Sequence, residues 1–225
     1  MDKNLHSLQA CKLFEGIAAE NLPTLLTCFK ARSQDYDRDE TILSSGGRPR
    51  EVGVIMRGSA NIIKEDYWGN RSLIQKLQAA DVFAESFALA GVETLPFSVI
   101  AAEKKTQALY LDTTGMLSSC ALTCVFHTQL IFNIVQLLAH KNILLIRKIE
   151  HIAMRSTKEK LLSYLSSQAL DADSGSFAIP YNRQELADYL CVDRSALSSV
   201  LSRLKQEGML DYHRNDFRML KQANS

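Results

Sequence analysis

The sequence predicts an α+β fold with an antiparallel β jelly-roll over 1–123, a long helix over 124–154, and a C-terminal domain of short helices and a hairpin over 155–225. Three observations carry this reading. Short β-type runs separated by turn residues fill the stretch from Ala31 to Asp112. A helical apolar pattern then continues from Cys124 to Met154, and two helix-start signals follow each other within Asn182–Gly208.

The chain opens with a helical segment, where Leu22, Leu25, Leu26 and Phe29 keep helical spacing behind Pro23. Beyond it, Gly46-Gly47, Gly58, Tyr67-Trp68-Gly69-Asn70 and Gly91 punctuate the runs Val52–Met56, Ala60–Lys64, Ser72–Leu77 and Phe97–Ala101. Evenly spaced short strands of this kind point to a small antiparallel barrel or jelly-roll. Trp68, in a turn beside Gly69, is expected to pack over the barrel edge.

The long helix would run about 45 Å at roughly 1.5 Å per residue, more than a barrel of this size needs for its own core. Ile131, Val135, Leu138, Leu145, Ile149 and Ile152 form one stripe, with Asn142 in the row. Leu130, Ile134, Leu137 and Leu144 form a second, with Lys141 inserted. Spacings alternating between three and four make a seam for a partner helix. Two stripes suit a helix with two neighbours, its own barrel and the same helix of a second copy. A core helix of a monomer is the alternative.

A shorter helix over 156–169 precedes the most informative segment. Asn182 with Glu185 is a capping-box start for a helix ending near Leu190, Asp193 can cap a second, and Gly208 suits its exit. Two short helices joined by Cys191-Val192-Asp193, with small Ala187 on the first, fit a helix-turn-helix. On the second helix Leu197, Val200, Leu201 and Leu204 face inward, while Arg194, Ser195, Ser198, Ser199 and Ser202 share the opposite face. Serine is a mediocre helix former, so a row of four calls for a reason. A groove-facing helix supplies one, because small hydroxyls let the backbone approach and leave Arg194 room to reach a guanine. A solvated serine-rich face is the alternative. Met209–His213 and Phe217–Leu220 flank Arg214-Asn215-Asp216 as a hairpin with a basic tip, a wing suited to a phosphate backbone.

Composition limits the remaining possibilities. The 225 residues carry a formal net charge of +1 and 46% hydrophobic residues, ordinary for a globular chain. Lysine and arginine barely outnumber the acids from Arg147 onward, so a DNA-binding face must come from charge placement. Met1–Lys12 is polar, without the apolar core of a signal peptide. Cys120–Ile146 is interrupted by amides, histidines and a lysine, so no membrane span is expected. Five cysteines without an export signal lead us to expect reduced thiols and a cytoplasmic chain. No Gly-rich phosphate loop, H-E-x-x-H or G-x-S-x-G occurs, so the chain reads as no enzyme and without catalytic residues.

The segment Asn182-Arg-Gln-Glu-Leu-Ala-Asp-Tyr-Leu, followed by Asp193-Arg-Ser and the apolar helix, resembles the winged helix-turn-helix of the cyclic AMP receptor/fumarate-nitrate regulator superfamily of bacterial transcription regulators. Leu13-Phe14, Gly58-Ser59, the long helix and Arg155-Ser-Thr-Lys-Glu-Lys also fall where that family has counterparts. The resemblance implies a homodimer on a palindromic double-stranded operator, with a recognition helix in each major-groove half-site. It also implies RNA polymerase as a further partner. Arg194 is the expected base reader beside Ser195, Ser198, Ser199, Ser202 and Gln184, while Arg183, Arg203 and Arg214 are expected to neutralise phosphates. Relatives often open this helix with an Arg-Glu pair and add an arginine one turn later; Ser195 and Ser199 stand at those two places here.

The resemblance further implies a cyclic-nucleotide-binding-like sensor with a small-molecule effector. The family cassette reads Gly-Glu, about ten residues, then Arg-Ser. Here Ala84-Glu85-Ser86 stands at the first part and Leu95-Pro96 at the second, and no arginine lies between Arg71 and Arg147. A cyclic phosphate carries a full charge and needs a paired cation, so an effector other than cyclic AMP is expected. Its candidate contacts are Glu85, Ser86, Leu95, Phe97, Lys141 and Asn142. Lys141 either snorkels to solvent or serves as counter-charge for an anion. The alternative is a haem, metal or thiol-redox sensor using Cys120, Cys124 and His127, although three ligands are too few for a closed structural zinc site. Otherwise neither metal nor cofactor is expected.

Overall fold

The computed structural model describes residues 8–114 and 125–220. The chain divides into two compact units, Met1–Ala139 and His140–Ser225. The division falls inside the long helix.

In the first unit, α1 (Leu22–Cys28) begins behind Asn21 with Pro23 in its first turn, where a missing N–H costs nothing. Eight strands follow: β1 (Arg32–Tyr36), β2 (Thr41–Leu43), β3 (Glu51–Arg57), β4 (Ala60–Glu65), β5 (Arg71–Leu77), β6 (Val82–Phe83), β7 (Ser98–Ala101) and β8 (Thr106–Asp112). They form two four-stranded antiparallel sheets, β1-β8-β3-β6 and β2-β7-β4-β5. This is the expected jelly-roll. A short helix, α2 (Glu85–Leu89), interrupts the strands after β6.

β3 is buried on both faces. Val52, Val54 and Met56, with Leu109 and Leu111 of β8, pack against Leu13, Phe14, Leu22 and Leu25 outside the barrel. Ile55, Ala108 and Tyr110 instead join Tyr36, Phe83, Leu95, Phe97 and Val99 between the sheets. Gly53 must be glycine, because an added Cβ would meet Phe83 Cζ at 2.1 Å. The ring lies across the strand there and meets Tyr110 edge-on at 6.3 Å. The Tyr36 and Tyr110 hydroxyls are 2.5 Å apart, and burial pushes the Tyr110 phenol far above its ordinary value.

The β4–β5 turn corrects one expectation. Asp66 accepts from the N–H groups of Trp68 and Asn70 and from the Asn70 amide, which locks the turn. The locked turn holds Trp68 82% exposed, so it does not cover the barrel.

The long helix α3 spans Val125–Ile152. Leu130 and Ile134 are buried in the first unit's core, and Asn133 Nδ2 donates to the carbonyls of Leu13 and Glu15, both at 2.9 Å. The other stripe stays open, with Val135 57%, Leu145 60% and Ile149 59% exposed. By length and composition alone, Phe126–Ile152 would be apolar enough to cross a bilayer. This differs from the sequence expectation because the interrupting side chains are mostly amides and histidines, which lower hydropathy less than charges do.

In the second unit, α4 (Thr157–Asp171) starts at a Ser156–Glu159 capping box. β9 (Ser176–Ala178), α5 (Arg183–Leu190), α6 (Arg194–Gln206), β10 (Leu210–His213) and β11 (Asp216–Met219) follow, with a sheet of order β10-β11-β9. Leu161, Leu165, Leu186, Leu190, Leu197, Leu201 and Phe217 form the core. The C-terminal part of α3 packs here, with Arg147 bridging to Asp171 at 2.9 Å and Lys148 Nζ lying 5.1 Å from the Tyr189 ring.

Candidate DNA-binding face and sensor residues

The expected caps are in place. Asn182 Oδ1 accepts from the N–H groups of Gln184 and Glu185, and the Glu185 carboxylate accepts from Asn182 N–H. α5 ends at Cys191, whose positive φ of 52° turns the chain. Asp193 Oδ1 then accepts from Ser195 and Ala196 N–H, starting α6. These bonds hold the Asp193 carboxyl below its usual range, the Ser195 hydroxyl contributing most. Ala187 is fully buried in the core that α5 and α6 share.

α6 buries Leu197, Val200, Leu201 and Leu204 and exposes Arg194, Ser195, Ser198, Ser199, Ser202 and Arg203. The expected reading face is therefore assembled on one side of one helix. The Ser198, Ser199 and Ser202 hydroxyls donate to the carbonyls of Arg194, Ser195 and Ser198, four residues back. Gln184 is exposed and donates to Asp188, Arg203 lies 3.9 Å from Glu207, and Arg214 is exposed at the hairpin tip with φ 53°.

Arg183 is placed differently from its neighbours. Its guanidinium carbon lies 4.9 Å from the Tyr212 ring centre and 5.1 Å from that of Phe217. Nη2 donates to the Arg214 carbonyl at 2.6 Å, and Nη1 is buried with no hydrogen-bond partner among the described residues. Burial lowers its pKa from the ordinary value, opposed by Tyr212. Sequence reading missed the aromatic ladder beneath it. Tyr212, Phe217 and Phe177 are direct cross-strand neighbours on β10, β11 and β9, stacked at 5.7 and 6.2 Å. Aromatics on three separate runs show no periodicity, so only the register reveals the ladder.

Of the expected effector contacts in the first unit, Leu95 and Phe97 are buried between the sheets, and Phe97 meets Phe87 edge-on at 5.1 Å. Glu85 is buried at the start of α2, and Ser86 is exposed and donates to it. Ala84, expected at the cassette's glycine place, has φ 60°. Lys141, half-buried, and Asn142, exposed, lie on α3 in the second unit. Cys120 and Cys124 lie outside the described residues. His127 is buried with its ring 5.0 Å from Phe29, and no metal-binding cluster occurs among the described residues.

Residues 159–223 match the Crp-like helix-turn-helix domain. No curated protein matches the chain. Among solved structures, the c-di-GMP responsive global regulator CLP of Xanthomonas campestris is 15% identical over 91% of this chain and 100% of its own, with a TM-score of 0.57. A CooA mutant from Carboxydothermus hydrogenoformans is 20% identical over 99% of this chain and 93% of its own, with a TM-score of 0.57. CprK complexed with OCPA is 15% identical over 87% and 88% of the two chains, with a TM-score of 0.63. At these identities the likeness is one of fold. Residues 159–223 thus belong to the Crp-like helix-turn-helix family, and the chain as a whole shares the fold of these solved structures.

Proposed function

We propose that the chain acts as a homodimer on a palindromic operator, with α6 in the major groove and its activity set by a small-molecule effector other than cyclic AMP. The observation that carries the DNA-reading part is the α6 face, where exposed Arg194 and a serine row lie opposite a fully apolar buried side. Arg194 reads a guanine, Ser195, Ser198, Ser199, Ser202 and Gln184 line the groove, and Arg203 and Arg214 meet phosphates. The dimer reading rests on the open heptad row of α3, since soluble chains rarely leave so long an apolar strip uncovered. RNA polymerase is the partner such an activity would address.

The effector reading rests on the sensor residues. Glu85 keeps the ribose-holding acid of the family cassette, while Ala84 and Leu95 stand at its glycine and arginine places. Leu95, buried in an apolar core, offers an aliphatic side chain where the cassette has its cation, and Arg48 nearby is paired with Glu93. That a structural relative is a c-di-GMP responsive regulator fits a fold that accepts more than one effector. Selection of preferred sites from a random duplex pool by the purified protein tests the reading. An enriched palindrome bound by a dimer is expected, and enrichment of no sequence would overturn it. Calorimetry then tests the effector. Micromolar cyclic AMP binding that tightened operator binding would overturn that part.

A further inference from the structure

Arg183 is half-buried, unlike the exposed arginines Arg194, Arg203 and Arg214. It opens α5 beside exposed Gln184, where a phosphate contact is the natural expectation, yet its side chain turns inward. A half-buried guanidinium whose Nη1 is buried and orphaned is costly unless something offsets it. Two interactions do so here. The cation lies over the faces of Tyr212 and Phe217, and Nη2 makes a charge-assisted bond to the Arg214 carbonyl.

That carbonyl belongs to the residue whose left-handed φ turns the hairpin, so the bond grips the wing at its tip. The neighbouring Asn215 carbonyl accepts from Ile179 N–H at 2.9 Å, tying the tip to the segment after β9. From the other helix, Lys205 pairs with Asp211 at 2.5 Å and lies 5.3 Å from the Tyr212 ring. Both helices of the helix-turn-helix thus hold the same aromatic ladder through a cation.

We propose that Arg183 is a positioning residue that fixes the wing tip relative to α5, so that Arg214 reaches the phosphate backbone, and that Arg183 makes no phosphate contact of its own. This rests on the DNA-binding reading above. To meet a phosphate, Arg183 would have to give up the tip carbonyl and both rings.

The decisive experiment is a double-mutant cycle with Arg183→Gln and Arg214→Ala in the full chain. Binding to a mixed-sequence duplex of about 30 base pairs is followed across a salt series, where each lost phosphate contact flattens the log–log slope by about 0.9. Each single variant is expected to lose about one contact's worth of slope, and the double variant no more than Arg214→Ala alone. Losses that add in the double variant, or an Arg214→Ala variant with unchanged slope, would overturn the proposal. Hydrogen exchange in the free protein reads the clamp without DNA. Arg183→Gln should speed exchange of the Ile179 amide, which donates to the Asn215 carbonyl, by roughly ten-fold or more, and unchanged exchange overturns the clamp. Arg183→Lys, which keeps a charge and a donor, should give an intermediate rate and guards against a glutamine variant that folds poorly. A wild-type chain that bound no duplex would instead overturn the functional reading, with exchange still deciding the clamp.

Discussion

His151 Nδ1 lies 2.8 Å from Ser163 Oγ, joining the last turn of α3 to the middle of α4. The imidazole ring also stands edge-on to Tyr164 at 5.7 Å. Burial lowers the His151 pKa from its ordinary 6.5, with Arg147 reinforcing the shift and Glu150 opposing it. The folded chain therefore holds this proton less readily than the unfolded chain. Stability from this site is complete above about pH 6.5 and falls as the pH drops below it, levelling once the folded imidazole also protonates. Thermal unfolding across this window should show the loss in the wild type and a flatter profile in His151→Gln. Carboxylates held low, such as Glu159, affect a more acidic window. Equal profiles for the two chains would refute the assignment.

Leu145→Asp separates the α3 seam from the fold. Leu145 is exposed in the single chain, so its loss should leave the fold of each copy intact by circular dichroism. Burial of a leucine contributes roughly 1.5–3 kcal/mol, so dimer dissociation constants should rise at least ten-fold by sedimentation. Leu130→Ala is the converse case, because Leu130 is fully buried. It should destabilise the first unit by about 2–5 kcal/mol.

Arg194→Ala should remove base discrimination at one position of each half-site, worth about 1–3 kcal/mol. Affinity for unrelated duplex should change far less. Competition binding with single-base operator variants checks this, and a uniform loss across all sequences would make Arg194 a phosphate contact.

Ala84→Gly should stabilise the sensor unit. An L-residue in the left-handed region costs roughly 1–2 kcal/mol, and glycine returns about 0.5–1 kcal/mol of that as extra unfolded-state freedom. The net gain, about 0.5–1 kcal/mol, should appear as a higher denaturant midpoint with an unchanged slope.

Elements with a repeating apolar pattern were legible from sequence. β3, β4, β5 and β7 fall within a residue or two of the expected runs, and both helices of the helix-turn-helix start at their expected caps. β1 was harder to see, because among its five residues only Tyr36 is buried and no alternation results. The serine face followed from helical spacing. The inward turn of Arg183 did not, since it depends on rings brought together by strand register. Trp68 was misplaced for a related reason: Asp66, two residues earlier, sets the turn that lifts the indole off the barrel.

The hydroxyls of Ser198, Ser199 and Ser202 have each already spent their proton on a backbone carbonyl. What they offer outward is lone pairs. The face thus has a polarity, with a donor-only guanidinium at Arg194 followed by a row of acceptors. Phosphate oxygens and guanine edges are acceptors and would require each hydroxyl to rotate and surrender its internal bond. The exocyclic amines of adenine and cytosine need no such exchange. A half-site with guanine opposite Arg194 and amine-bearing bases along the serine row would meet this helix as it stands.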